Sequence, residues 1–146
     1  MAADQSFVTR SVAGLLLLDF SMKQLMTTLR INGAKGQGQP MSFFEKASRA
    51  QLLTAEYTGP MCALIIALAI KGPLSDWAKN VVKAMIASRW IFALRMFDFS
   101  VDASGYLNGK PITNPLHVYK LSFPGVVGAT LSYITYGLLI LELVRS

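Results

Sequence analysis

The side chains of this chain that could do chemistry are charged residues inside otherwise apolar segments. Arg49 and Glu56 are seven residues apart, and this spacing places two residues within about 20° of each other on an α-helix. Leu53 falls on the same stripe, and Gln51 lies on a neighbouring face. Because an arginine offers a planar pair of donors to a carboxylate, the pattern predicts a polar cleft between helices. The alternative is that Arg49 anchors the helix at an interface and Glu56 pairs with a neighbouring helix during assembly.

A second group of charges belongs to the first apolar segment. Asp19, Lys23 and Arg30 follow one another at steps of four and seven, so they share one face of a helix. Asp19 and Lys23 are spaced for an i,i+4 ion pair, which neutralises much of their charge locally. We therefore expect a self-paired stripe that faces the other helices, with contact to a ligand as the alternative.

A third group lies in the third apolar segment. Lys83, Arg89 and Arg95 step by six residues, which is about 240° per step, so they do not share a face. At least one of them must then point inward or extend along the helix towards water. Arg89 is in the middle of the segment, and we expect it to point at a partner or a ligand.

The composition excludes several other chemistries. One cysteine, Cys62, cannot form an internal disulfide, and one histidine, His117, leaves no Cys/His cluster, so no metal site is expected. Cys62 lies in the middle of an apolar segment and is expected to pack as a small hydrophobic residue. The sequence contains no Ser/His/Asp arrangement and no paired catalytic carboxylates.

Length and hydropathy indicate a single membrane domain, residues 1–146. The chain is 53% hydrophobic and only 15% charged, with a mean hydropathy of +0.43, whereas soluble domains are about 25% charged. Its net charge of +6 comes from basic residues scattered along the chain rather than clustered, which argues against a nucleic-acid partner. Basic residues at the ends of apolar segments are typical of anchors at a membrane interface.

Four apolar segments account for most of the chain. A helix needs about 20 mostly apolar residues to cross a bilayer, and residues 121–141 contain 21 residues without a charge. Lys71, Gly72 and Pro73 end the second segment in the way that helices usually end. The sequence predicts an all-α fold, an integral membrane four-helix bundle with helices at about 7–29, 48–70, 76–97 and 120–143.

Two of these segments resemble those of a known family. The segment from Arg49 to Tyr57, followed by Pro60, is similar to a second-helix pattern of an arginine, an asparagine four residues later, a glutamate three beyond that, and a proline. That pattern belongs to the MAPEG family, the membrane-associated proteins in eicosanoid and glutathione metabolism. The last helix, from Leu121 through Gly128 to Leu131, resembles that of the microsomal glutathione transferase branch. The resemblance covers about residues 10–143.

The resemblance implies a homotrimer in the membrane with glutathione bound as a co-substrate between neighbouring subunits. The implied chemistry is thiolate attack on a lipophilic electrophile or reduction of a lipid hydroperoxide. Two carboxylates and an ammonium group in glutathione are complementary to several arginines and one glutamate. By position, Arg89 would be the catalytic residue, and the glutathione site would consist of Arg30, Arg49, Gln51, Glu56 and Tyr57.

Three positions depart from the family pattern and favour a second function. Leu53 stands where the family has asparagine, Phe92 where relatives often have histidine or tyrosine, and Met96 where one branch has another tyrosine. Each lost polar partner costs about 1–3 kcal/mol of ligand binding. The alternative is therefore a catalytically degenerate, MAPEG-like structural subunit of a larger membrane complex. Either protein would contact membrane lipid, in the endoplasmic reticulum or a mitochondrial membrane, and the partners would be identical or unlike subunits.

Overall fold

The computed structural model describes residues 2–34, 41–94, 106–107, 110–111 and 123–145. Four helices occur in these ranges: α1 (Ala2–Ala34), α2 (Met41–Lys71), α3 (Asp76–Ala93) and α4 (Phe123–Arg145). A short antiparallel pair, β1 (Tyr106–Leu107) and β2 (Lys110–Pro111), lies between α3 and α4 in the chain, with Tyr106 opposite Pro111. Within the described ranges the architecture is thus all-helical apart from this one strand pair.

Three of the four helices are long and apolar enough to cross a bilayer. Their candidate spans are Asp4–Asn32, Ala50–Lys71 and Gly125–Arg145. Helix α3 is not among them, since its 18 residues include four charged ones, Asp76, Lys79, Lys83 and Arg89. The three spans indicate an integral membrane protein, as the composition predicts.

The helices run alternately up and down. Asp4 near the start of α1 forms an ion pair of 2.7 Å with Lys79 in the first turn of α3. Lys71 at the end of α2 donates a hydrogen bond of 2.6 Å to the carbonyl oxygen of Leu143 near the end of α4. Both contacts lie at the end of the bundle that carries the short connection between α2 and α3. The starts of α1 and α3 and the ends of α2 and α4 therefore meet there.

Helices α1 and α2 extend well beyond the apolar segments that predict them. Helix α2 begins at Met41 rather than near residue 48, and α1 covers 33 residues, about 50 Å, against about 27 Å for the 18 residues of α3. Beyond the end of α3 the two helices contact each other through a small cluster of Met26, Leu29 and Ala47. This extra packing explains why both helices continue where the sequence becomes polar. The predicted ends at 95–97 and 120–122 lie outside the described residues.

Helices α3 and α4 make the closest contact in the bundle. A Cβ atom added to Gly128 would lie 2.6 Å from the backbone nitrogen of Phe92, so α4 approaches the α3 backbone directly. One helical turn away, the hydroxyls of Ser88 and Ser132 are 2.7 Å apart and buried. Small residues of this kind allow close helix packing in lipid, and the contact fixes the side chains of α3 relative to α4.

Two local predictions of the sequence are confirmed. The Lys23 amine lies 2.6 Å from the Asp19 carboxylate, as expected for an i,i+4 pair on α1. The expectation that this stripe faces the other helices is wrong, because Lys23 and Arg30 are exposed and the inner face of α1 carries apolar residues such as Leu18 and Met22. Cys62 is 9% exposed and belongs to the main hydrophobic cluster of the bundle, with Leu15, Ile65 and Met85.

Candidate functional site

An open cavity of about 180 Å³ lies between α2, α3 and α4. Each of these helices contributes side chains with a three- or four-residue spacing, which is the repeat of one helix face. Most of the wall is apolar or aromatic. The lining residues are Leu53, Tyr57 and Met61 from α2, Arg89 and Phe92 from α3, and Gly125, Ala129, Ser132, Tyr133 and Tyr136 from α4.

Arg89 is the charged residue among the described residues of this wall. It is 3% exposed and lies on the inner face of α3 together with Met85, Ser88 and Phe92, whereas Lys83 on the same helix is exposed. One guanidinium nitrogen, Nη2, donates a hydrogen bond of 3.0 Å to the carbonyl oxygen of Leu53 on α2. The α3 sequence thus directs one of its cations into the bundle and leaves another at the surface.

Two aromatic rings hold the Arg89 guanidinium in place. Its Cζ atom lies 5.0 Å from the centre of the Tyr57 ring and 5.0 Å from the centre of the Phe92 ring. Cation–π contacts of this kind contribute about 2 kcal/mol each when water is excluded. The guanidinium therefore lies beside both rings, between α2 and α3.

No carboxylate from the described part of the chain pairs with Arg89. The ion pairs there are Lys23 with Asp19, and Lys79 with both Asp4 and Asp76. A buried charge normally has an opposite charge or several hydrogen bonds to compensate its lost hydration. Arg89 carries five N–H donors, and the carbonyl of Leu53 accepts from one of them. An anion in the cavity would therefore meet a complementary cation.

Tyr57 and Tyr133 join α2 to α4 at the cavity. Their hydroxyl oxygens are 2.9 Å apart, and their rings meet edge to face with centres 5.9 Å apart. Tyr133 is 60% exposed, so the pair lies at the rim and not in the interior. Large side chains at this contact keep α2 and α4 apart and leave the cavity open.

Among the predicted site residues whose side chains the structure describes, Tyr57 and Arg89 are the two that it brings together. Tyr57 and Arg89 are in contact at the cavity, whereas Glu56 is exposed and Gln51 is half-buried, both outside the cavity wall. Arg30 is exposed on α1. The side chain of Arg49, and all of Met96, lie outside the described residues.

Sequence reasoning missed the contribution of α4. Its cavity residues recur at Gly125, Ala129, Ser132 and Tyr136, with Tyr133 beside them. Three- and four-residue steps of small and polar residues in an otherwise apolar helix are the signal that could have identified this face. Of the small residues on this helix, Gly128 is in contact with the backbone of α3, whereas Gly125 and Ala129 line the cavity.

No protein-family model, curated protein or solved structure matches this chain. In the part of the chain that the structure describes, no three His, Cys, Asp or Glu residues come together as a metal site.

Proposed function

We propose that this protein is a membrane four-helix bundle that uses glutathione as a co-substrate to conjugate lipophilic electrophiles or reduce lipid hydroperoxides. Arg89 carries the proposal, because it is buried against an open and mostly apolar cavity without a carboxylate partner among the described residues. A cation in such surroundings is complementary to a compact anion. The thiolate of glutathione is an anion of this kind, and the second-helix resemblance to glutathione-dependent membrane enzymes supports the choice.

Arg89 would act on the thiol by electrostatics. A neighbouring cation favours the thiolate over the thiol and increases the fraction of the nucleophile at neutral pH. In conjugation, the sulfur attacks carbon, a carbon–sulfur bond forms, and the leaving group departs with its electron pair. With a hydroperoxide, the sulfur takes the terminal oxygen, the alkoxide gains a proton, and a second glutathione converts the sulfenic acid to disulfide and water.

The polar ends of glutathione would need partners outside the cavity. Among the described residues of the cavity wall, Arg89 is the one that carries a charge, whereas the tripeptide carries two carboxylates and an ammonium group. Gln51 and Glu56 lie along α2 beyond the wall, and Arg30 is exposed on α1. In a homotrimer, a neighbouring subunit would cover this surface and complete the site between subunits.

The proposal is tested by titrating glutathione into detergent-purified protein in a calorimeter. We expect micromolar to low-millimolar binding by the wild type and none by Arg89→Gln, which removes the charge but keeps a polar side chain. Lys83→Gln is the matched control, because it removes an exposed cation from the same helix and should bind as the wild type does. Absence of binding by folded wild-type protein would overturn the proposal.

A specific observation also favours the second candidate, a structural subunit without catalysis. Leu53 and Phe92 line the cavity at two positions where the resembled family carries polar residues. An apolar wall leaves polar groups of glutathione without partners, and this weakens binding. For a structural subunit, we expect purification in mild detergent to yield unlike chains in fixed stoichiometry and the calorimeter to detect no glutathione binding.

A further inference from the structure

A small open groove lies at the end of the bundle that carries the short connection between α2 and α3. It holds about 80 Å³, and buried apolar side chains such as Leu68 and Leu74 contribute to its floor. Polar residues of its wall include Lys71 at the end of α2, Ser75 at the N-cap of α3 and Glu142 in the last turn of α4. The groove therefore brings together polar side chains from three helix ends.

This groove lies at the depth of lipid headgroups. The candidate membrane spans of α2 and α4 both end there, at Lys71 and Arg145, so this end of the bundle meets the boundary between hydrocarbon and water. Trp77 is exposed at the same end, and tryptophan is enriched at that boundary. Ile70 and Leu141 are exposed in the last turns of α2 and α4, and they provide apolar surface for acyl chains beside the groove.

The three polar side chains of the groove have hydrogen-bonding capacity left for a ligand. The Lys71 ammonium has three N–H donors, and one of them goes to the carbonyl oxygen of Leu143 at 2.6 Å. The Ser75 hydroxyl accepts a hydrogen bond of 3.1 Å from the Ala78 backbone amide, which leaves its own proton to donate. Among the described residues, Glu142 has no ion-pair or hydrogen-bond partner. The groove thus presents a cation, a hydroxyl donor and a carboxylate to one occupant.

From this arrangement we infer that the groove binds the headgroup of a membrane phospholipid that carries both a phosphate and a primary amine, as phosphatidylethanolamine does. Lys71 and Ser75 donate to the phosphate oxygens, and Glu142 accepts from the ammonium group. Hydrogen bonds between charged groups are about twice as strong as neutral ones. A purely anionic headgroup has no cation for Glu142, and a choline headgroup has no N–H to donate to it. The inference is independent of glutathione and of the cavity beside Arg89.

The test compares lipids that differ in the headgroup alone. Detergent-purified protein is titrated with phosphatidylethanolamine, phosphatidylcholine or phosphatidylglycerol carrying the same acyl chains, and native mass spectrometry measures the bound lipid. We expect the first phosphatidylethanolamine to bind about tenfold more tightly than either other lipid, because its amine adds a hydrogen bond to a charged group. Free phosphoethanolamine at millimolar concentration should not displace it, since the acyl chains contribute much of the affinity. Equal binding of the three lipids, tighter binding of phosphatidylglycerol, or displacement by the free headgroup would overturn the inference.

Two variants separate the ends of the headgroup. Glu142→Gln removes the charge that the amine requires, so the preference for phosphatidylethanolamine should fall about tenfold while phosphatidylglycerol binds at least as tightly as before. Lys71→Gln removes the charge that the phosphate requires and should weaken the binding of all three lipids. Asp76→Asn is the matched control for Glu142→Gln, because it neutralises a fully exposed carboxylate at the same end of the bundle, and it should keep the wild-type preference. An unchanged preference in Glu142→Gln, or an equal loss in Asp76→Asn, would overturn the inference.

Discussion

Helix α4 makes two very different contacts with its neighbours. Towards α3 it presents Gly128 and Ser132, and the two backbones approach until no Cβ atom would fit at Gly128. Towards α2 it presents Tyr133, whose ring meets Tyr57 edge to face. We call the contact between α3 and α4 the sealed contact. The contact between α2 and α4 is the open contact, because it leaves a cavity beside Arg89. The size of the side chains on adjacent faces of one helix thus decides which interface is structural and which can receive a ligand.

The sealed contact should be the more sensitive of the two. In Gly128→Ala the new Cβ atom would lie 2.6 Å from the Phe92 backbone nitrogen, so α3 and α4 must separate. Overpacking of this kind costs about 1–3 kcal/mol, and we expect the upper part of that range because the obstacle is backbone. A maleimide dye that fluoresces on reaction with Cys62, the single and buried cysteine, measures the drop in Tm during thermal unfolding.

Gly137→Ala is the control for that variant. Gly137 lies on the same helix, with no atom within 4 Å of an added Cβ, and alanine is the better helix former by up to about 1 kcal/mol. A Tm that is unchanged or slightly raised is expected. Equal losses at Gly128 and Gly137 would mean that α3 and α4 are not in backbone contact.

The role of the open contact can be tested by placing a polar group in the wall of its cavity and measuring the affinity for glutathione. Leu53 lines the cavity, and its own carbonyl accepts a hydrogen bond from Arg89. Leu53→Asn should tighten glutathione binding by about tenfold, since one additional hydrogen bond to a charged ligand contributes about 1.5 kcal/mol. The control is Leu52→Asn, at a neighbouring exposed position. Calorimetry should show no gain in affinity for this variant. Unchanged affinity in Leu53→Asn would argue against glutathione as the anion of this cavity.

A single hydrogen bond within the sealed contact should have a smaller effect. Ser132→Ala removes the bond to Ser88, although Ser88 keeps its bond to the Met85 carbonyl. Hydrogen bonds between membrane helices contribute about 0.6 kcal/mol on average, so the thiol-dye assay should report a Tm lower by a few degrees. Thr130→Ala, an exposed position on α4, is expected to match the wild type.

The sequence predicted the helices well because their signal is local. Apolar length identifies a span wherever it lies, and an i,i+4 pair such as Lys23–Asp19 needs only its own helix. The extensions of α1 and α2 were missed because they depend on contacts between helices, such as Met26 with Ala47. A hydropathy pattern contains no information about which residues of another helix a side chain contacts.

The cavity was only partly predictable for the same reason. The stripe of Arg49, Leu53 and Glu56 describes one face of α2, but the structure places Leu53 at the cavity and leaves Glu56 exposed. Which residue faces the interior depends on where α3 and α4 lie around α2, and periodicity along one helix does not contain that information. Arg89 could be selected because a mid-segment cation has few positions available to it in lipid, whereas Tyr133 carries no charge to single it out.

The smallest expected change in stability comes from removing the hydroxyl bond between Tyr57 and Tyr133. Tyr133→Phe keeps the ring that spaces α2 from α4 and removes one exposed hydrogen bond, so the free energy of unfolding should fall by only about 0.5 kcal/mol. The reduced Tm should stay within about two degrees of the wild type, as measured with the same dye. A larger drop in Tm would mean that the hydroxyl bond, and not the contact between the rings, holds α2 and α4 together.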